Sequence, residues 1–337
     1  MKHLIKIASK KHTSPIMNCI LFDGNKARAG DINLFLFAEI SGSWQFDNPR
    51  LVDAKLVKAA LMLNSKNPIW HGTMLNGVEL ADSGRNPVDF PLFPDTWTAG
   101  AFEIVPTGNI NESLKRISTA MAKNDIRYYL KGIMLNSDGI LCASNGDRLH
   151  IERDVFITGY AGKFEVIIPR DVLDIIPKID KIELSLGNVP GTSPAYTRIT
   201  FGSLTIISKC IDSKFPDYKR VIPDITDRPI AVKFNGAQTD IANKLLAFSK
   251  SNKDKFHAMI LCFQNGKIIA QDRSGTLSMP FADTDNGVEL LDFGVNAGYM
   301  IDAMQSAYDG IMYFAGKKDS VLLESGNFRA VVMPMRV

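Results

Sequence analysis

The side chains that could carry enzymatic chemistry are scattered through this sequence. The five histidines are His3, His12, His71, His150 and His257. Because they lie far apart, a metal site or an acid/base pair would need convergence from distant parts of the chain. The spacing of Asp147, Asp171 and Asp174 singles out no acid/base couple, and P-loop, H-E-x-x-H and G-x-S-x-G motifs are missing. We therefore predict that the protein is not an enzyme and holds neither a metal nor another cofactor.

The cysteines and the net charge limit the cellular compartment and the kind of partner that we expect. Cys19, Cys142, Cys210 and Cys262 form no C-x-x-C pair, which favours buried thiols in a reducing, cytoplasmic setting. The formal net charge is only +3, so binding to a polyanion would depend on basic residues gathered on one face. The sequence shows neither a signal-peptide core nor an apolar run long enough to span a bilayer, so we expect a soluble intracellular protein.

Basic residues recur on the polar faces of predicted helices, where they could contact phosphates. In the middle of the chain Asn109 is a predicted N-cap with Glu112 three residues on, and the apolar stripe that follows is Leu114, Ile117 and Met121. A later helix has the stripe Ile241, Leu245 and Phe248. The basic residues of these helices and of their counterparts near the N-terminus are Lys6, Lys10, Lys58, Lys115, Arg116, Lys123, Lys244 and Lys250. Lysines decorate any solvated helix, but equivalent helices can line one surface and sum their charge.

A repeated pattern supplies the elements that would position such helices. A predicted hairpin begins with an apolar strand at Cys19, again at Gly132 and again at Met259. A strand running into a short helix follows each hairpin. The apolar positions of that second pattern are Val52, Leu56, Val57 and Ala60, then Ile168, Val172, Leu173 and Ile176, then Val295, Tyr299, Met300 and Ala303. The separations from the first pattern to the second are 52 − 20 = 32, 168 − 133 = 35 and 295 − 260 = 35.

Proline-rich segments separate the copies. Residues 88–95 resemble residues 214–224, and they indicate linkers near 96–101 and 223–229. The 337 residues therefore predict an α+β protein of three similar tandem domains, at 1–98, 99–226 and 227–337. Any α+β chain has hairpins and amphipathic helices, so chance similarity is the alternative, but the matched separations favour a true repeat.

Several segments resemble the bacterial DNA polymerase III beta subunit, the sliding clamp family. They are residues 125–132, 143–149, 166–170, 208–221 and 331–337, and together they span about residues 101–337. The similarity of residues 1–100 is weaker. The resemblance implies three domains of one fold per chain, and two chains joined head to tail into a ring with helices lining the hole and sheets outside. Such a ring holds duplex DNA topologically, without reading its sequence.

The same resemblance implies a pocket between the second and third domains, into which polymerase and clamp-loader subunits insert a short apolar peptide. The matching residues are Leu130, Ser144, Gly146, Arg148, Leu149, Pro216, Arg220, Val221, Val331, Val332, Met333, Pro334, Met335 and Arg336. Leucine, valine, proline and methionine suit an adaptable apolar floor, and arginine can fix carbonyls or a carboxylate. A last strand that merely fills a core is the alternative for the terminal residues.

A loop that contacts the duplex in the family matches Asn124, Tyr128 and Tyr129, beside Lys123. We add these residues and Arg170 to the basic helix residues as expected DNA contacts.

Two departures from the family pattern are visible. Asn145-Gly146-Asp147-Arg148 replaces the usual Asp-Gly-His-Arg, so a carboxylate stands where an imidazole is usual and could change peptide preference. Helical spacing also begins almost at once, at Leu4, so the usual opening strand is missing from the first domain. A divergent clamp carried by a phage or another mobile element would fit such trimming.

Three rival functions stay open on the sequence alone. One is a clamp-like accessory protein that recruits transcription or repair factors rather than a replicative polymerase. Another is an enzyme acting on nucleotides or sugars in a cleft between repeats. The last is a scaffold that never meets DNA, in which case the basic helix faces would be scattered.

Overall fold

The computed structural model describes most of the chain, and every structural statement below concerns the described residues. These are 1–10, 12–40, 46, 48–93, 102–159, 162–176, 183–187, 196–251, 257–264, 267–272, 277–283, 293–316 and 318–336. The predicted linker near 96–101 lies outside the described residues.

Six helices form within these ranges, and side-chain caps start several of them. They are α1 (Lys2–Ala8), α2 (Ala54–Leu63), α3 (Ile110–Ser118), α4 (Arg170–Leu173), α5 (Gly236–Ser251) and α6 (Ala297–Ala307). The predicted cap of α3 is confirmed, because the Asn109 side chain accepts a hydrogen bond from the Glu112 N–H at 3.3 Å. Asp53 caps α2 and Asn296 caps α6 in the same way, at 2.8 Å and 3.1 Å.

The helices bury one apolar face each. Leu114 and Ile117 of α3 are buried, as predicted. In α5 the most buried positions include Ala242 and Leu245, whereas Ile241 and Phe248 lie half-buried beside them. Most of the predicted helix faces are thus confirmed. In α5 the buried face is shifted by about one residue from the predicted one, so that Ala242 and Ser249 are buried in place of Ile241 and Phe248.

The strands are short and almost all belong to antiparallel meanders. They are β1 (Cys19–Asp23), β2 (Lys26–Gly30), β3 (Leu34–Glu39), β4 (Arg50–Asp53), β5 (Trp70–His71), β6 (Met74–Leu75), β7 (Val78–Glu79), β8 (Phe102–Pro106), β9 (Gly132–Asn136), β10 (Leu141–Ser144), β11 (Arg148–Glu152), β12 (Phe156–Thr158), β13 (Glu165–Pro169), β14 (Glu183–Gly187), β15 (Tyr196–Phe201), β16 (Leu204–Lys209), β17 (Ile230–Phe234), β18 (Ala258–Gln264), β19 (Lys267–Asp272), β20 (Ser278–Asp283), β21 (Phe293–Asn296), β22 (Gly310–Phe314), β23 (Val321–Ser325), β24 (Phe328–Val332) and β25 (Pro334–Met335).

By their internal contacts the residues fall into two units. Unit 1 comprises Met1–Val105, Thr158–Ala161 and Asp171–Asp212, and unit 2 comprises Pro106–Ile157, Gly162–Arg170 and Ser213–Val337. The large sheet of unit 1 contains β4-β1-β2-β3-β16-β15-β14-β8 in that order, and a small sheet contains β5-β6-β7. Unit 2 has one sheet ordered β13-β9-β10-β11-β24-β23-β22-β17 and another ordered β20-β19-β18-β21-β25.

The two large sheets repeat one plan. In unit 1 the third strand of the meander β1-β2-β3 pairs with β16, the last strand of β14-β15-β16. In unit 2 the third strand of β9-β10-β11 pairs in the same way with β24, the last strand of β22-β23-β24. The three predicted hairpins are confirmed as β1-β2, β9-β10 and β18-β19. Each large sheet therefore joins a meander from one third of the chain to a meander from the next third.

This joining explains why units and sequence repeats divide the chain differently, since hydrogen bonds across β3-β16 and β11-β24 hold neighbouring thirds together. The domain boundaries 1–98, 99–226 and 227–337 stay a prediction. Near the second boundary the structure has a single 3-10 turn, Ile225–Asp227, before β17 begins. Within the described residues no helix is long and apolar enough to cross a membrane.

Candidate functional site

A cavity of about 310 Å³ opens in unit 2 beside the junction of β11 and β24. Nine of the fourteen predicted pocket residues line it. They are Leu130, Ser144, Gly146, Arg148, Leu149, Pro216, Val221, Val331 and Met333. The structure therefore brings together most of a set that the sequence spreads over two hundred residues.

The floor of the cavity is set by the strand register. Leu149 pairs with Val331 across β11 and β24, and their side chains are 3% and 2% exposed. Met333, two residues beyond Val331, is 42% exposed and so remains available to an incoming group. Its N–H donates to the Asp147 carbonyl at 2.9 Å, which ties the chain end to the turn before β11. The floor is apolar, with one adaptable thioether at its edge.

A tight turn between β10 and β11 forms one rim. The Ser144 hydroxyl donates to the Arg148 carbonyl at 2.7 Å and accepts from the Gly146 N–H at 3.0 Å. The Asn145 side chain accepts from the N–H groups of Asp147 and Arg148, both at 3.0 Å. These bonds fix the turn without a ligand.

Gly146 is required in this turn because its φ is +97°, and because a Cβ there would lie 2.8 Å from Nη2 of Arg127. The Arg127 guanidinium lies against the glycine and pairs with Asp125 at 2.7 Å. Hydrogen bonds from Arg127 lower the pKa of Asp125 to about 2. A positive and a negative group are thus held together at the cavity mouth.

Arg148 lies beneath the cavity and is only 7% exposed. Its Nη1 is 2.5 Å from Oδ2 of Asp302, Nη2 donates to the Thr119 carbonyl, and the guanidinium carbon lies 4.4 Å from the Tyr299 ring centroid. A buried cation with these partners connects β11 to α6 and to the end of α3. Its role in this arrangement is to hold the floor in place.

His150 follows on the same strand and is fully buried. Its Nδ1 lies 3.1 Å from the Thr119 hydroxyl, and its ring packs edge-on against Phe328 with centroids 5.3 Å apart. Burial, with a contribution from nearby Arg148, lowers the pKa of His150 to about 3. The imidazole is therefore neutral, and it is part of the support behind the floor.

The opposite wall is the segment around Pro216. Phe215 is buried, and its N–H donates to the Glu165 carboxylate at 2.9 Å. Tyr218 begins a 3-10 turn that carries Val221, which is 49% exposed, to the cavity. Burial raises the pKa of the Tyr218 phenol, so this side chain is neutral near neutral pH, and the Asp217 carboxylate is the charged group of this wall.

Five predicted pocket residues lie elsewhere. Arg220 does not line the cavity, but its 83% exposed side chain pairs at 3.0 Å with Asp217, which does. Val332 is fully buried between Arg148 and Val321 in the sheet. The remaining three are Pro334, Met335 and Arg336, of which the first two pair with β21 as β25. The chain end thus contributes Val331 and Met333 to the cavity and then leaves it.

Sequence reasoning missed four lining residues and gave a fifth another role. The missed residues are Arg127, Phe215, Asp217 and Tyr218, and Tyr129 was expected at DNA. The proline-rich segment had been noticed as a repeat signal, but nothing in its spacing shows that it closes a cavity. The one available signal for Arg127 was its spacing from Asp125, two residues earlier, which allows the ion pair that the structure shows.

The expected DNA-contacting residues differ in how much of each side chain is available. Lys6, Lys58, Lys115, Lys123, Asn124, Tyr128, Lys244 and Lys250 are exposed. Lys10 is 3.3 Å from Asp171 in unit 1, and Lys6 Nζ donates to the Asp174 carbonyl at 2.7 Å. Arg116 pairs with Glu152, and Arg170 donates to the Met121 and Ala122 carbonyls at 3.0 Å and 3.2 Å. Arg116 and Arg170 are therefore engaged inside unit 2.

The cavity has the character of a site for a short apolar peptide. It is lined by aliphatic and aromatic groups with a few polar groups at the rim, and its volume suits one or two side chains. No cluster of three or more histidine, cysteine or acidic side chains in the described ranges could hold a metal ion.

Comparisons with known proteins point to one group. The model of the DNA polymerase III beta subunit, central domain, matches residues 104–217. A beta sliding clamp of Pseudomonas putida is 28% identical, with 98% of this chain and 95% of that protein aligned. A beta sliding clamp of Pseudomonas aeruginosa is 27% identical, with 74% of this chain and 69% of that protein aligned.

Solved structures agree in fold. The DNA polymerase III subunit beta from Pseudomonas aeruginosa matches with a TM-score of 0.79 and 21% identity, covering 100% of this chain and 96% of that one. The Helicobacter pylori beta clamp bound to a DNA ligase peptide matches with a TM-score of 0.80 and 16% identity, covering 99% and 96%.

Proposed function

Because the chain is a divergent member of the bacterial DNA polymerase III beta subunit family, the sliding clamps, we propose that it is a processivity factor. It encircles duplex DNA as a closed dimer and tethers a polymerase and other partners through the unit 2 cavity. The single observation that carries the tethering role is the apolar cavity at β11-β24, with Met333 exposed at its edge. A DNA ligase peptide is bound by the Helicobacter pylori clamp, and we expect the unit 2 cavity to bind partner peptides as well.

The strand plan supports closure by a second copy. In the meander β1-β2-β3 the third strand pairs with β16, and in the meander β9-β10-β11 the third strand pairs with β24. Both β16 and β24 are the last strands of other meanders. The third strand of β18-β19-β20 and the last strand of β5-β6-β7 have no such partner among the described strands. A head-to-tail dimer that pairs β20 of one copy with β7 of the other would complete the plan and close a ring.

The DNA interaction in this proposal is electrostatic and sequence-independent. A ring needs no tight contact, since release requires opening or a DNA end, so exposed lysines on α2, α3 and α5 are sufficient. Such a protein performs no chemistry itself. Replication places it in the bacterial cytoplasm, and the buried thiols of Cys19, Cys142 and Cys210 suit that reducing compartment.

The experiment that tests this function is retention on circular DNA. The protein is loaded onto a nicked circle with a bacterial clamp loader, the complex is isolated, and the circle is then cut once. Loss of protein only after cutting is the expected result, since a ring slides off a free end. Protein that stays bound after cutting would show a direct hold on DNA and refute the sliding-clamp mechanism.

A further inference from the structure

A second cavity, of about 700 Å³, lies in unit 1 beside the junction of β3 and β16. Strands β2, β3, β15 and β16 form its base, and Leu92 and Phe93 stand at one side. All of its lining residues belong to unit 1. None of them was predicted as a site residue, although Leu92 and Phe93 lie in the proline-rich segment 88–95.

The strand register arranges the base in rows. Arg28 pairs with Phe37, Phe37 with Thr205, and Thr205 with Thr200, so these residues cross the sheet in one row. Side chains alternate between the two faces of a strand, so residues two positions away share the same face. Lys26 and Glu39, which pair with each other, therefore extend the cavity along the strands.

The equivalent junction in unit 2 shows how this cavity arises. Phe35 pairs with Ile207 just as Leu149 pairs with Val331, and the unit 2 cavity lies over that second pair. In unit 1 Phe93 packs against this pair, and its ring centroid is 5.4 Å from that of Phe35. Phe93 and Ile207 therefore lie at one end of the unit 1 cavity.

One row further along the strands the side chains of the two units differ in size. In unit 2 the row contains Arg329 and Glu324, which form an ion pair with only 26% and 19% of their side chains exposed. The counterparts in unit 1 are Thr205 and Thr200, whose hydroxyls are 3.5 Å apart. Because two short side chains replace two long ones, space remains in unit 1 where unit 2 is filled.

The cavity carries an excess of positive charge. Lys26, Arg28 and Arg198 line it against Glu39. Arg28 is 20% exposed and pairs with Asp23 at 3.2 Å, while its buried Nε makes no hydrogen bond to any described residue. Because Arg28 lines the cavity with a partly exposed side chain, the accessible part of its guanidinium can pair with a carboxylate that enters. Leu92 and Phe93 offer an apolar surface beside these groups.

We propose that the unit 1 cavity is a second docking site, which takes a peptide segment with carboxylates next to an aromatic or aliphatic side chain. The carboxylates pair with Lys26 and Arg28, and the apolar side chain packs on Leu92 and Phe93. The backbone of a DNA duplex suits this cavity less well, because the Arg28 side chain is largely buried and only a narrow group can reach it.

The test uses fluorescence polarisation of the full-length protein with two labelled peptides, Glu-Asp-Phe-Leu-Asp and its basic counterpart Lys-Lys-Phe-Leu-Lys. The acidic peptide is expected to bind and the basic one is not. Arg28→Gln should weaken binding about tenfold, as expected for a lost charge-assisted hydrogen bond. Thr200→Glu combined with Thr205→Arg should abolish binding, because that pair introduces the side chains that fill the corresponding row of unit 2.

Controls separate this site from the unit 2 cavity. Met333→Ala should leave binding of the acidic peptide unchanged, and Lys26→Gln, at an exposed position at the start of β2, should weaken it. The proposal is overturned if the acidic peptide does not bind, if Met333→Ala removes its binding, or if Arg28→Gln has no effect. It is also overturned if a short DNA duplex displaces the peptide and if Arg28→Gln weakens binding of that duplex. None of these outcomes depends on ring closure or on processivity.

Discussion

At the scale of single residues, Met333 is where we expect the tethering function to be most sensitive. Met333→Ala removes an apolar group that is 42% exposed at the cavity edge, so an incoming peptide loses buried contact area. We expect the affinity for an apolar partner peptide to fall by about tenfold, corresponding to roughly 1 to 2 kcal/mol. Fluorescence polarisation with a labelled peptide measures the change.

The control variants for this prediction are Met17→Ala and Arg220→Ala. Met17 is a half-buried methionine in the 3-10 turn of unit 1, and its substitution should leave peptide affinity unchanged. Arg220→Ala should have a smaller effect than Met333→Ala, because Arg220 lies outside the cavity, but the double variant should be the weakest binder. Equal affinities for the wild type and the double variant would refute the assignment of the pocket.

His150 makes stability depend on pH. Its pKa is lowered from 6.5 to about 3 in the folded protein, so between these values the unfolded state binds more protons. Stability contributed by the neutral imidazole is complete above pH 6.5 and is lost as the pH falls toward the folded pKa, at up to about 1.4 kcal/mol per pH unit.

The test compares His150→Asn with the wild type in urea unfolding at neutral pH and at about pH 5. Asparagine keeps a polar group near Thr119 but does not titrate. We expect the variant to be less stable at neutral pH and to lose less stability on acidification than the wild type. A pH slope that is identical in the two proteins would show that His150 is not the titrating group.

The sequence predicted cavity residues best where the apolar character of a side chain agreed with the family resemblance. The floor residues Leu149, Val331 and Met333 were predicted as pocket residues, and they do line one cavity. The sequence could not show that Val332 turns into the sheet or that Arg116 pairs with Glu152. Those outcomes depend on strand register and on long-range packing, which spacing along the chain does not specify.

At the scale of elements, the caps are independent contributors to stability. Asn109→Ala removes the acceptor for the Glu112 N–H at the start of α3, and we expect it to lower the free energy of unfolding by about 1 kcal/mol. Urea unfolding followed by circular dichroism checks this value. Asn109→Ser retains a capping group and should restore most of the loss, whereas equal losses in both variants would argue against a capping role.

Hairpins and helix faces were the elements that the sequence predicted best. Short apolar runs, each followed by a turn and a second strand ending near Gly or Asp, located β1-β2, β9-β10 and β18-β19, and the helical spacing from Leu4 located α1. The short sheet β5-β6-β7 was not predicted, because its strands have only two residues each. Two residues are too few to show a period.

Asn76 holds this short sheet against α2. Its side chain donates to the Ala60 carbonyl at 2.9 Å and accepts from the Ile69 N–H at 2.8 Å, and its φ is +51°. These bonds place Ile69, which is 63% exposed, near the end of α2, where Met62 and Leu63 are 72% and 68% exposed. An apolar patch formed by these three exposed side chains, at the end of α2 and just before β5, is suited to contact with another chain.

At the scale of the whole molecule, we expect this patch to be part of the contact that closes the ring. Met62→Asp combined with Leu63→Asp places two charges in the patch, and burial of unpaired charge disfavours association. The variant should be a monomer under conditions where the wild type is a dimer, and it should not be retained on a nicked circle after loading. Its thermal unfolding as a monomer should remain cooperative, because both side chains are exposed.

Analytical ultracentrifugation over a range of concentrations measures this effect, and Ile32→Asp supplies the matched control. Ile32 is 74% exposed in the turn between β2 and β3, away from β7 in the sheet plan, so its substitution should leave the dimer intact. A dimer that survives the paired substitution would place the ring contact elsewhere on the chain. A wild type that remains monomeric at all concentrations would contradict ring closure itself, and with it the proposal that β7 provides the edge to which β20 of a second copy binds.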